Sequence, residues 1–186
     1  MPTLSLKVVV ILLCACAWVC AGDQTAVWLD VPFVKQEKNG CGAASIAMVM
    51  RFWQRQQGVE LSADAMQIQR TLYSSEGHGI YASSLESYFR EHGYQTFTFE
   101  GRTEDLRQHL AKGRPLIVAL KPSQGARLHY VVVAGLDEQN QLVLLNDPAA
   151  RKLLKQEIAG FQKEWKGAGN WTLLAVPQSE RASTTR

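Results

Sequence analysis

Four short apolar runs in the second half of this chain constrain its fold more than any other feature. Leu116-Ile-Val-Ala-Leu120, Tyr130-Val-Val-Val-Ala134, Leu142-Val-Leu-Leu145 and Thr172-Leu-Leu-Ala-Val176 are four or five residues long and lack any polar face. Runs of that length, rich in β-branched residues, read as buried strands. Asp137-Glu-Gln-Asn140 supplies a turn between the second and third, so those two strands should be sheet neighbours.

The first half reads as helical. From Gly42 to Gln57 the apolar residues Ile46, Val49, Met50 and Trp53 fall on one face, and Gly58 suits the end. A short helix is expected over Ser62–Leu72. Another runs from Ser84 to about His92, with Ser83 and Glu86 as a capping box and Gly93 as its stop. A third follows Thr103 and ends at Gly113, and a last one covers about Leu153 to Trp165. Trp53, Phe89, Phe161 and Trp165 read as core aromatics. Helices first and an antiparallel sheet second make an α+β fold. At 186 residues and 46% hydrophobic the chain has material for one well-packed domain. We place that domain at residues 22–177, with a frayed polar tail at 178–186.

Residues 1–21 have the layout of an export signal: Lys7, an apolar run from Val8 to Val19, then small residues. Two cleavage readings stand side by side. Val19-Cys20-Ala21 fits an ordinary signal-peptidase site, and Leu13-Cys14-Ala15-Cys16 fits a lipoprotein box that would leave Cys16 as a lipid anchor in the membrane. Both readings predict a protein acting outside the cytoplasm, secreted or periplasmic. Three of the four cysteines belong to this segment. There is no CxxC pair and the four histidines are scattered, so no structural zinc, other metal or cofactor is expected. A net charge of +3 predicts no nucleic-acid partner and no polybasic membrane surface.

The remaining cysteine, Cys41, lies between Gly40 and Gly42 at the start of the strongest helix. The unpaired N–H groups and positive dipole of a helix start stabilise a thiolate. His129 stands at the mouth of an apolar strand, and Asp147 at the end of the next one, before Pro148. A nucleophilic cysteine needs a base, and the imidazole needs an acceptor to fix its tautomer. Taken singly, Cys41 fits a buried core thiol, His129 a core histidine and Asp147 a turn residue; together they fit a catalytic triad. Gln36, five positions before Cys41, could donate its amide to an oxyanion beside the thiolate or be a solvated loop residue. His78 in Glu76-Gly77-His78-Gly79 reads as a loop histidine, with the wall of a cleft as the other reading.

At these residues the chain resembles the papain-like cysteine peptidases that remove double-glycine leaders from bacteriocins. Gln36 followed by Gly40-Cys41-Gly42-Ala-Ala-Ser-Ile-Ala-Met-Val-Met50 is similar to that family's cysteine block. Leu128-His129-Tyr130 is similar to its histidine block, and Asn146-Asp147-Pro148-Ala149 to its aspartate block. The resemblance spans about Leu29 to Pro177. It implies a papain-like fold, with Cys41 as nucleophile, His129 as general base and acid, Asp147 orienting His129, and Gln36 as oxyanion donor. Gly40 departs from the family pattern, in which an acidic residue often precedes the cysteine. No membrane bundle and no GxxxxGK[ST] loop accompany the domain, so a stand-alone peptidase without an ATP-binding cassette is expected. The implied activity is hydrolysis of a peptide or protein substrate through an acyl-enzyme. An amidase or acyl transferase using the same triad, and a silent peptide-binding module, are the alternatives.

Overall fold

The computed structural model describes residues 26–123 and 126–178. The expected export segment with Cys14, Cys16 and Cys20, and residues 179–186 of the tail, lie outside the described residues. In chain order the elements are β1 (Ala26–Trp28), α1 (Cys41–Gln56), α2 (Ala65–Leu72), α3 (Ala82–Glu91), β2 (Tyr94–Glu100), α4 (Thr103–Ala111), β3 (Leu116–Leu120), β4 (His129–Asp137), β5 (Leu142–Asn146), β6 (Leu154–Glu157), α5 (Ile158–Gly167) and β7 (Trp171–Pro177). The strands form one sheet in the order β2-β7-β3-β4-β5-β6, with β1 paired to β4, and every pairing is antiparallel.

The central strands are apolar throughout because helices cover both faces of the sheet. On one side Ile46, Val49, Phe89 and Leu85 from α1 and α3 pack on Ile117, Ala119, Val132 and Leu173. On the other, Leu106 and Leu110 of α4 and Phe161 and Trp165 of α5 pack on Val118, Val131, Val133 and Leu174. Alternate residues of β3 and β4 therefore enter different cores, and no position along them can be polar without a buried partner. Phe161 and Trp165 share one helix face, with ring centroids 5.2 Å apart.

Two elements differ from the sequence expectation. Leu154 to Glu157 is not the first turn of the last helix but the edge strand β6, paired with β5 from Leu142↔Glu157 to Leu145↔Leu154. The segment Leu-Lys-Gln-Glu is composed of good helix formers, and the open ladder of β5 overrides that preference. Helix α3 starts at Ala82, after an extended Tyr81, and has no side-chain cap. Ser83 therefore sits inside its first turn, and Glu86 pairs with Arg90 one turn on rather than closing a capping box. Burial of Ile80, Leu85 and Phe89 sets this start.

Two devices hold the site end of the sheet. Between Val133 and Gly135 the β4–β5 register slips by one residue, a β-bulge. A Cβ at Gly135 would come within 2.8 Å of Leu144, Trp28 and the Val27 carbonyl, so glycine is the residue that fits where β1, β4 and β5 converge. At the end of β5 the fully buried Asn146 donates Nδ2 to the Val31 carbonyl at 3.0 Å and accepts from Leu153 N–H at 3.0 Å. It thereby fastens the segment leading to Gln36 and the loop carrying Asp147 to the same strand.

Candidate active site

Helix α1 presents Cys41 as its first residue. Its N-cap is Gly40, with no side-chain cap, and its first turn contains no acidic residue. The first-turn N–H groups thus have neither an intrahelical acceptor nor a capping oxygen, and the positive end of the dipole is not neutralised. A hydrogen bond from Ser45 Oγ to the Tyr130 carbonyl (3.3 Å) ties this end of α1 to the start of strand β4, beside His129.

The Cys41 thiol meets the His129 side chain, and backbone groups of Tyr130 and Gly42 also bond to the sulfur. Burial alone would raise the thiol pKa. The His129 hydrogen bond and charge, with those backbone donors, outweigh it, and the net effect is a pKa below the ordinary 9.0. His129 Nε2 lies 2.7 Å from Asp147 Oδ1. With Nε2 so engaged, Nδ1 is the ring nitrogen left for the thiol. Burial would lower the His129 pKa, yet Asp147 and Cys41 together raise it to about 9. At neutral pH these opposed shifts favour a thiolate–imidazolium pair.

Asp147 is held in turn. Its Oδ1 accepts the Ala149 N–H at 2.9 Å, and its main chain bonds to Ala150 and Arg151. Its pKa is below the ordinary 3.8: burial opposes this, but His129 and the Ala149 and Ala150 N–H groups prevail. Asp147 follows directly on the last β4–β5 pair, Val132↔Asn146, which is why a residue 18 positions from His129 reaches it.

Gln36 lines the same cleft as Cys41 and His129, a cavity of about 540 Å³ whose wall also includes Gly77, His78 and Tyr81. The Gln36 main chain donates to the Pro148 carbonyl at 3.0 Å, and its Oε1 is buried without a partner. The structure thus brings Cys41, His129 and Gln36 to one cleft wall and hydrogen-bonds His129 to Asp147. His78 is both a loop residue and part of the cleft wall. Tyr130 is buried behind the sulfur, its ring 5.5 Å from Trp171, and its hydroxyl pKa is pushed up to about 12, first by burial and then by Cys41.

Sequence reasoning missed the supporting atoms. The Tyr130 and Gly42 backbone contacts leave no mark in residue type. Asn146 did leave one, as a polar residue closing an otherwise apolar strand. Among the described residues no group of three or more His, Cys, Asp or Glu is placed to hold a metal ion, and no helix is long and apolar enough to cross a membrane.

A helix-borne thiol facing an imidazole on an antiparallel sheet is the architecture of the papain-like cysteine peptidase fold. The chain belongs to the Peptidase_C39 like family, whose model matches residues 28–173. No curated protein sequence matches it. Among solved structures it is similar to a Bacillus anthracis protein described as a C39-like peptidase, with a TM-score of 0.64 at 17% identity over 83% of this chain and 99% of that one. A double-glycine motif protease from an AMS/PCAT transporter, solved with its leader peptide, gives 0.64 at 23% identity over 82% and 95%. The peptidase domain of Streptococcus ComA, a bifunctional ABC transporter involved in quorum sensing, gives 0.60 at 21% identity over 78% and 98%.

Proposed function

We propose that this chain is an active cysteine peptidase in which Cys41, His129 and Asp147 form the triad and Gln36 completes the oxyanion site. The observation that carries this reading is the placement of the Cys41 thiol and His129 on the wall of one open cleft, with His129 hydrogen-bonded to Asp147 at 2.7 Å. The Cys41 thiolate attacks the peptide carbonyl, and its oxygen receives hydrogen bonds from Gln36 Nε2 and an α1 N–H. The collapsing tetrahedral intermediate expels the amine, which takes the proton from His129. His129 then removes a proton from water, and the hydroxide attacks the thioester to release the acid and the thiolate.

The substrate in this reading is a peptide in extended form, cleaved after a glycine-rich segment such as the double-glycine junction. The leader complex of the similar transporter protease supports that choice. Export through residues 1–21, with or without a lipid on Cys16, remains part of the proposal, and mass spectrometry of the mature amino terminus tests it.

Covalent labelling tests the nucleophile. Wild-type protein should react with an iodoacetamide probe at neutral pH well above the rate of a free thiol, and Cys41→Ala should take up none at this site. Labelling no faster than free cysteine would sink the proposal. Wild type should also cleave a double-glycine peptide that Cys41→Ala leaves intact.

A further inference from the structure

A second recess of about 480 Å³ opens beside the catalytic cleft, lined by Lys38, Asn39, Gln69, Tyr73, His78 and Arg127. Asn39, His78 and Arg127 line both cavities, so the two adjoin. Neither lining contains a carboxylate, although the chain as a whole carries 17 acidic residues against 20 basic ones. Among the described residues Lys38 and Arg127 form no ion pair, as holds for most of the basic side chains: only Arg55, Arg90, Arg102, Arg107 and Lys152 meet a carboxylate. The nearest acids in sequence, Glu37 and Glu76, are exposed and outside both linings.

The recess is also a built feature. Gln69 Nε2 donates to the Lys38 carbonyl at 2.8 Å, and a Cβ on Gly40 would lie 2.7 Å from Gln69 Oε1. The turn bearing Lys38 and Asn39 is therefore seated against α2. Asn39 and His78 both adopt left-handed backbone, with φ of 57° and 49°. Two non-glycine residues in that conformation on one rim show the surrounding contacts dictating the shape.

We infer that this recess is a specificity subsite that takes an acidic side chain of the peptide substrate, its carboxylate lying between Lys38 and Arg127 with polar contacts available from Asn39, Gln69 and Tyr73. This rests on the peptidase reading for its substrate but not for its chemistry. Two unpaired cations beside a cleft without acids attract a carboxylate and disfavour a lysine at the same position.

Internally quenched decapeptide pools, each with one position fixed as Glu, Gln or Lys, test the inference. At one position the Glu pool should exceed the Gln pool roughly five- to tenfold in kcat/KM, the size expected of partly exposed ion pairs, and added salt should erase the difference. Lys38→Glu combined with Arg127→Glu should move the preference to the Lys pool, and the milder Arg127→Gln should flatten it. No preference for Glu at any position, or a preference that survives the double reversal, overturns the subsite. Binding of the same pools, fluorescein-labelled, to Cys41→Ala separates the two claims. Preference for Glu in binding without any wild-type cleavage removes the peptidase and keeps the recess; cleavage indifferent to charge does the reverse.

Discussion

In the proposed mechanism His129 meets two requirements at once: it stays protonated to hold the thiolate, and it yields that proton to a leaving amine. The Asp147 carboxylate at 2.7 Å provides for the first, and the resulting pKa of about 9 sets the upper limit of the working range. Activity should rise with pH as Cys41 ionises below its ordinary 9.0 and fall again near pH 9 as His129 deprotonates. Asp147→Asn removes the charge that raises the imidazole pKa. We expect its alkaline limb at lower pH than wild type, with kcat/KM down by about 10²-fold or more; an unmoved limb would show that Asp147 does not set the His129 pKa. Gln36→Ala should lower kcat by about 10² to 10³, near 3 kcal/mol of barrier, with little change in KM. Equal turnover in steady-state assays would remove Gln36 from the oxyanion site. Cys41, His129 and Asp147 were readable from sequence because each is a chemically capable side chain at the edge of an apolar element. For Gln36 the sequence left two readings open, an oxyanion donor or a solvated loop residue, and only the family resemblance favoured the first.

Among the elements, the strands of the central sheet and the long helix α1 were legible because burial on a fixed face leaves a period in the residues. β2 was not recognised, although Tyr-Gln-Thr-Phe-Thr-Phe-Glu alternates, and the three-residue β1 exists only through its pairing with β4. β6 was misread because edge-strand pairing is a non-local force that leaves no trace in a helix-forming segment. The bulge at Gly135 is likewise invisible without a partner strand, yet it adjusts the register that ends with Asn146 and Asp147. Gly135→Ala should therefore be costly. Overpacking against Leu144, Trp28 and the Val27 carbonyl predicts a loss of about 1–3 kcal/mol, or roughly 2–4 °C of Tm per kcal/mol. A thermal melt matching wild type would show that β1 simply moves aside.

For the whole molecule, the triad makes an unusual contribution to pH-dependent stability. His129, raised to about 9, contributes stability that is complete below its ordinary 6.5 and lost as pH climbs through 9. Cys41, lowered from 9.0, contributes in the opposite sense, gaining as pH rises. Once Cys41 has ionised and until His129 loses its proton near pH 9, the folded pair holds one proton, and so does the unfolded chain, on its thiol. Over that interval the two effects cancel and stability should be flat. Cys41→Ala removes the compensating thiol, so its Tm should decline across that interval; a decline of the same slope in wild type would refute the ion pair. Below pH 4 the depressed Asp147 pKa adds a loss shared by both proteins. Cys41 is also the only cysteine among the described residues, and it is free. Among the described residues it has no second cysteine with which to form a disulfide. Peroxide would take it to a sulfenic acid, and further oxidation to the sulfinic acid would be irreversible. In the proposed mechanism the same uncapped helix start that activates the sulfur toward peptides thus also opens it to oxidation, so activity should depend on a supply of reductant.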